Sequence, residues 1–197
     1  FDNDGRPDVW IGSSDYPGTR GLLFPQQPDG RFALLPPEIG IDSLASHGVA
    51  VADFDRDGDL DVAVGHSHMR CEDQCYESAR VRFFENLVGN HANWVQLRLS
   101  GGEGTNRSAI GARVRVRTGD VVQTQEVGGG HGHYGIQHDL VLHFGLGAAC
   151  EAEVEVVWPD ASRTTERFSV QAGYRYHVQQ GGSVQAIDQP ADESRGQ

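Results

Sequence analysis

The sequence contains no lysine, few cysteines and no long apolar run. All 16 basic residues are arginine, a bias that indicates a GC-rich and therefore bacterial genome. No apolar run approaches the roughly 20 residues that a membrane helix needs, which excludes a helical membrane span. With 28 acidic residues the net charge is −12. That charge argues against binding to nucleic-acid phosphates and suits cation binding and solubility.

Cysteine occurs only three times. Cys71 and Cys75 lie close together in "CEDQC", and Cys150 stands apart. The close pair suits a small-loop disulfide in an oxidising compartment, with free thiols as the alternative. Two cysteines without a second pair make a poor zinc site. The sequence also begins inside a motif and without a starting methionine, so we expect it to be part of a longer protein.

An acidic motif occurs twice in the first third of the chain. "FDNDGRPDVWIG" (1–12) aligns with "FDRDGDLDVAVG" (54–65), and the shift from Asp4 to Asp57 is 53 residues. Each copy runs from an acidic loop into an apolar strand that ends at glycine. A repeat of this length lies just beyond the known range of propeller blades. Two blades cannot close a propeller, which needs about 4–8, so further blades or another surface must cover their edges.

Residues 1–89 are therefore interpreted as two blade-like sheets. "GLLFPQQPDGRFALL" (21–35) predicts two strands around a turn at Asp29 and Gly30, and "ARVRFFENLV" (79–88) is the matching element of the second copy. From Asn93 onward the acidic loops stop and short alternating strands take over, which favours a sandwich or open barrel over 90–180. Residues 181–197 are predicted to form a polar, frayed tail. The predicted strands of this second part are 94–99, 112–118, 120–127, 139–147, 152–159, 163–170 and 174–178.

The acidic loop of the second copy has the spacing of a calcium site. Ca²⁺ takes 6–8 oxygen ligands, and Gly58 allows the sharp turn that wraps the loop around one ion. Without a cation the carboxylates would repel one another and raise one another's pKa. The predicted ligands are Asp53, Asp55, Asp57, the backbone carbonyl of Asp59, and Asp61.

The first copy offers a similar but incomplete ligand set. An EF-hand is excluded for the second copy because its twelfth position is Val64 where that motif requires glutamate. A solvated acidic turn without metal is the alternative for both copies. The predicted ligands of the first copy are Asp2, Asp4, the backbone carbonyl of Arg6, and Asp8.

These motifs resemble two known families. The loop followed by "VAVG" looks like the FG-GAP/VCBS repeat of integrin α-chain-like propellers, whose loops bind Ca²⁺. The segments "NWVQLRL" (93–99), "TNRSAIGARVRV" (105–116), "LHFGLG" (142–147) and "VEVVWPDAS" (154–162) resemble the ASPIC/UnbV domain, which follows FG-GAP repeats in cartilage acidic protein-like and bacterial secreted proteins. Ala161 departs from the glycine that the family tends to have there. The resemblance implies a secreted, calcium-stabilised adhesion or surface-assembly module with no known catalytic activity.

A histidine-rich segment supports a competing interpretation. His131, His133, His138 and His143 fall within thirteen residues, and this pattern suits Cu²⁺, Ni²⁺ or Zn²⁺ as well as ordinary hydrogen bonding. An enzyme would use His133 as a base oriented by Asp139, but no nucleophile motif such as G-x-S-x-G is present.

Arginines at 113, 115 and 117 alternate with valines and predict a half-buried strand with a basic outer face. That face is either solvated and salt-bridged or a docking stripe for an acidic partner. Taken together, the sequence predicts an all-β secreted protein in which partial propeller blades precede a β-sandwich-like domain. Its predicted function is Ca²⁺-dependent binding of an extracellular protein, a glycan or a second copy. The alternative is a metal-dependent enzyme or a transition-metal-binding protein that uses the histidine cluster.

Overall fold

The protein is built from β-strands, as the sequence predicts. The computed structural model describes residues 1–39, 41–67, 69–70, 76–128 and 136–188. These residues form thirteen strands and two short 3₁₀ turns, Pro37–Ile39 and Gly89–His91, and none of them is in an α-helix. The predicted all-β fold class is therefore confirmed.

The N-terminal half holds two small antiparallel sheets, one for each copy of the acidic motif. The first pairs β1 with β2, and the second has the order β3-β4-β5. These small antiparallel sheets are consistent with propeller-like blades, and no closed sheet is seen among the described residues. The strands are β1 Val9–Ile11, β2 Leu22–Phe24, β3 Ser46–Ala52, β4 Asp61–His66 and β5 Val81–Phe84.

One predicted hairpin is only partly formed. Residues 21–35 contain β2, but the predicted second strand is reduced to an isolated bridge between Gln26 and Phe32. Pro25 and Pro28 have no backbone N–H to give to a ladder, so the prediction of two regular strands is wrong here. Strand β3 was not predicted, because "SHGVAVA" is rich in small residues.

The C-terminal half is a sandwich of two four-stranded sheets. One sheet has the order β11-β10-β7-β8 and the other β13-β12-β6-β9. Within these two sheets only the β6–β12 pair is parallel. The strands are β6 Asn93–Ser100, β7 Arg113–Thr118, β8 Val121–Glu126, β9 Leu142–Gly147, β10 Glu151–Val157, β11 Thr165–Gln171, β12 Tyr174–Gln179 and β13 Val184–Asp188.

The core lies between these two sheets. Alternate residues of β7 and β10, such as Val114 and Val154, are buried against β6 and β9 residues such as Leu97 and Phe144. Burying each such side chain contributes about 1.5–3 kcal/mol. The period-two alternation in the sequence is therefore the direct cause of this packing.

The expected frayed tail over 181–197 is wrong for residues 184–188, which form β13. This strand pairs with β12, matching Val178 with Val184 and His177 with Gln185. The pairing satisfies the backbone groups of β12 whatever the polarity of the β13 side chains. Side-chain alternation is therefore a weak guide at such an edge.

The two outer faces of the sandwich differ. The face of β7 and β10 is open, and Arg115 lies 3.4 Å from Glu155 while Arg113 lies 3.8 Å from Glu126. These ion pairs agree with the salt-bridged alternative for the arginine stripe, and the docking alternative stays a prediction. The opposite outer face, on β6, β9 and β12, is covered by the acidic loops of the N-terminal half.

Candidate metal centre

The two acidic loops share one backbone conformation. Asn3 and Gly5 have positive φ angles of 57° and 86°, and Arg56 and Gly58, 53 residues later, have 67° and 98°. Positive φ is uncommon for residues with a Cβ atom, so its recurrence at equivalent positions shows that the repeat is structural. The loops differ in what their side chains contact.

The second loop gathers three carboxylates. Asp53, Asp55 and Asp61 each place one oxygen within 4.8 Å of the others. The Asp53 side chain is 2% exposed and Asp61 is 3% exposed, whereas Asp55 faces solvent. The ladder pair between Ala52 and Asp61 holds the two ends of the loop together.

Backbone N–H groups hold these carboxylates in place. Asp55 Oδ1 accepts a hydrogen bond from the Asp57 N–H at 3.1 Å, and Asp57 Oδ1 accepts one from the Asp59 N–H at 3.0 Å. Asp61 accepts from the N–H groups of Phe54 at 2.9 Å and Asn86 at 2.8 Å. The predicted ligands at loop positions 1, 3 and 9 therefore come together. Asp57 and Asp59 lie outside that three-oxygen group.

The Asp59 side chain is the unexpected feature of the loop. It is fully buried, and neither carboxylate oxygen makes a hydrogen bond of good geometry, although the Asn90 backbone lies close enough to lower its pKa in part. Burial, followed by the charges of Asp57 and Asp61, raises the pKa of Asp59 to about 8. The sequence predicts only a backbone ligand here, because position 7 of such loops offers its carbonyl.

Asp53 resembles Asp59 in having a buried carboxylate oxygen and a raised pKa. Its Oδ1 atom is buried without a hydrogen-bond partner, and burial raises its pKa. A buried carboxylate that lacks a partner is costly unless it is neutralised by a proton or a cation. The donor set of the second loop, oxygen only and partly unsatisfied, therefore fits a hard divalent cation.

In the first loop, Asp4 and Asp8 contact protein groups instead of forming a close group of carboxylates. Asp4 forms an ion pair with Arg6, and Asp8 accepts a hydrogen bond from the Gln26 N–H at 3.0 Å. Arg6 also donates from Nε to the Gln26 carbonyl at 2.9 Å. Within the described part of the chain, only the second loop forms a close group of three acidic oxygens. The predicted site at Asp2, Asp4, Arg6 and Asp8 stays a prediction.

Asn3 of the first loop forms hydrogen bonds with both the second loop and the C-terminal sandwich. Its Nδ2 donates to the carbonyls of Gly58 and Gly89, each at 2.9 Å. Its Oδ1 accepts from His143 Nε2 at 2.6 Å, which leaves His143 Nδ1 to accept from Gln96 Nε2 at 3.2 Å. Burial lowers the pKa of His143 to about 3, so the ring is neutral.

The second loop makes its own contacts with the sandwich. Gln96 Nε2 donates to Asp53 Oδ2 at 2.6 Å, and Gln96 Oε1 accepts from Arg175 Nε at 2.6 Å. Gly58 lies so close to the indole of Trp94 that a Cβ at this glycine would overlap the ring. The candidate metal loop is thus in direct contact with β6 and β12.

The sequence did not identify Gln96, Trp94 or Arg175 as parts of the site. The one available signal was a polar residue in the middle of the apolar strand "WVQLRL" (94–99). Gln96 is 1% exposed, which is unusual for a strand position on an outer face. Its burial follows from the cover that the acidic loops provide.

The histidine-rich segment is only partly described. His131 and His133 lie outside the described residues, as do Cys71 and Cys75, whereas Cys150 is a free, exposed thiol. His138 Nδ1 accepts a hydrogen bond from the Val51 N–H at 3.1 Å, and His143 is engaged as above. These two described histidines belong to no close group of three metal-ligating residues.

Comparison with known families divides the chain as the resemblance implies. Residues 1–64 match the FG-GAP-like repeat, and residues 102–185 match the family ASPIC and UnbV. A search of curated proteins gave no match. In the described part of the chain no helix has the length and apolar character needed to cross a membrane.

Proposed function

Because the chain is an FG-GAP repeat protein with an ASPIC/UnbV domain, we propose that it is a Ca²⁺-stabilised binding module of the extracellular adhesion type. FG-GAP repeats are typical of extracellular proteins. The observation that carries the calcium assignment is the close group of Asp53, Asp55 and Asp61 beside the buried carboxylate of Asp59, which makes no hydrogen bond of good geometry. The proposal includes secretion and no catalytic role.

The choice of Ca²⁺ follows from the donor atoms. The cluster offers only carboxylate and backbone oxygens, which hard cations prefer, whereas Zn²⁺ and Cu²⁺ favour imidazole and thiolate. Mg²⁺ demands near-ideal octahedral geometry, and a loop of several acidic side chains suits the larger, more flexible shell of Ca²⁺ better.

The residues of the loop give the cation a structural role. When bound, the cation would neutralise the repulsion among the carboxylates. Asp53 follows the end of β3, and Asp61 begins β4 and holds the Asn86 N–H beyond β5. Fixing these two side chains fixes the edges of the three-stranded sheet and leaves its outer surface ordered for contact. The proposed partner is an extracellular protein, a glycan or a second copy of the chain.

Calorimetric titration of the whole chain with Ca²⁺ tests the proposal. We expect saturable binding that Asp55→Asn weakens at least about 10-fold, since this ligand is exposed and its loss leaves the buried contacts intact. Asp29→Asn is the matched control, because Asp29 lies in an exposed turn outside both loops and accepts from the Arg31 N–H. Absence of binding at millimolar Ca²⁺, or equal weakening by both variants, would contradict the proposal.

A further inference from the structure

We propose that Gln96, on strand β6 of the C-terminal half, is a positioning residue for the cation site of the second acidic loop. It orients Asp53 and prevents Arg175 from competing with the cation for that carboxylate. This inference rests on the proposed Ca²⁺ function, and it makes cation binding and the docking of the two halves mutually dependent.

The two carboxylate oxygens of Asp53 have different surroundings. Its Oδ2 atom accepts the Gln96 amide hydrogen bond at 2.6 Å, while its Oδ1 atom is buried with no hydrogen-bond partner. Asp53 is also one of the three residues whose oxygens lie within 4.8 Å of one another. A metal-ligating carboxylate held by a second residue is oriented by it, and such supporting residues strongly influence metal affinity.

Arg175 places a positively charged side chain beside the proposed Ca²⁺ site. Its guanidinium Nη2 lies 3.7 Å from Asp53 Oδ2, within ion-pair range but beyond hydrogen-bond distance. Arg175 Nε instead donates to Gln96 Oε1 at 2.6 Å. Gln96 thus receives the guanidinium with its oxygen and presents its amide nitrogen to the carboxylate.

Removing the Gln96 amide would change both contacts at once and would also remove the donor to His143 Nδ1 at 3.2 Å. Asp53 Oδ2 would lose its neutral donor, and Arg175 would lose the acceptor that holds it back. The shortest remaining partner for the arginine is Asp53, and a bidentate arginine–carboxylate pair is strong. The guanidinium would then neutralise the carboxylate that the cation needs, which predicts weaker Ca²⁺ binding.

The contacts of Asp53 with Gln96 and Arg175 link the two halves of the chain. Gln96 and Arg175 lie on β6 and β12 of the sandwich, whereas Asp53 follows β3 of the N-terminal half. A cation that fixes Asp53 therefore also fixes its contacts with β6 and β12. Coupling of this kind is reciprocal, so a docked C-terminal half must raise the affinity of the loop.

Calcium titrations of three variants of the whole chain test this proposal. Gln96→Leu is expected to weaken Ca²⁺ binding about 10-fold. Gln180→Leu, the matched control, should stay within about 2-fold, because Gln180 bonds to Gly102 and Asp160 within the sandwich and touches neither loop. Adding Arg175→Met to Gln96→Leu removes the competing charge and should restore most of the affinity. If Gln96→Leu weakened Ca²⁺ binding only through lost packing, adding Arg175→Met would not restore the affinity.

Hydrogen exchange on the unmodified chain gives a second readout if a variant fails to fold. Added Ca²⁺ should slow exchange in β6 and β12 as well as in residues 53–61, and leave β10 and β11 unchanged. If the chain does not bind Ca²⁺, the proposed function and this inference both fail. If it binds Ca²⁺ but Gln96→Leu keeps the affinity, or if slower exchange is confined to the loop, only the inference is overturned.

Discussion

The two acidic loops have the same backbone and different chemistry. Both have positive φ at the fourth and sixth positions, but the seventh position is Arg6 in the first loop and Asp59 in the second. Arg6 pairs with Asp4 and so supplies an internal cation, whereas the buried Asp59 carboxylate makes no hydrogen bond of good geometry. The seventh position thus carries a positive charge in the first loop and a further buried carboxylate in the second.

The side chains at the fourth position of the two loops also differ in burial and contacts. Asn3 is buried and reaches Gly58, Gly89 and His143, while Arg56 at the equivalent position is exposed. Asn3 of the first loop thus connects the two halves, while the second loop gathers the close group of acidic oxygens.

The largest contrast is expected from the matched glycines of the two loops. Gly58→Ala combines positive-φ strain with overlap on the Trp94 indole, and should lower the free energy of unfolding by about 4 kcal/mol. Gly5→Ala places its Cβ 3.2 Å from the Gly145 carbonyl and should cost only about 2 kcal/mol. Denaturant unfolding measures both. Equal losses would show that Trp94 does not press on the second loop as described.

Calcium should stabilise the protein through the second loop. At a free concentration one hundred times Kd, we expect a gain of about 2.7 kcal/mol in the free energy of unfolding. Asp55→Asn, which should bind at least about 10-fold more weakly, should cut the gain at the same Ca²⁺ concentration to about 1.4 kcal/mol or less. Asp2→Asn, the same change at the equivalent position of the first loop, should preserve the gain. Thermal unfolding with Ca²⁺ and with chelator measures the difference. A gain lost equally in both variants would remove the distinction between the loops.

A smaller effect concerns pH in metal-free protein. Folded Asp59 keeps its proton to about pH 8, while an unfolded aspartate releases it near 3.8, so stability should fall as the pH rises between these values. Between pH 6.5 and 8 the loss should be on the order of 1 kcal/mol, because the last deprotonation of unfolded His143, whose ordinary pKa is 6.5, offsets only about 0.4 kcal/mol of it. Asp59→Asn should flatten the profile. A wild-type profile already flat in excess chelator would contradict the buried carboxylate.

Much of this fold was predictable because strand alternation and acidic spacing are local signals. The strands around Val114 and Val154 follow from alternating side chains, and the turn at Gly58 follows from its place in the motif. Strand β13 was missed because it depends on the open edge of β12 and not on its own side chains. The second strand of the 21–35 hairpin is not regular, because Pro25 on the facing strand accepts from the Ala33 N–H but has no N–H to donate in return.

The contacts around the candidate site were not predictable in the same way. Gln96 is 43 residues from Asp53, and Asn3 is 140 residues from His143. Nothing local in either strand says that an outer face will be covered by a loop from the other half. Such a partner is found only when the fold has brought the two surfaces together.

Anomalous diffraction from crystals of the whole chain grown in saturating Ca²⁺ can locate the ion that we propose for the second acidic loop. We expect a strong calcium peak among the carboxylates of Asp53, Asp55 and Asp61. A map with no peak there, from crystals whose remaining density is well ordered, would contradict the proposal.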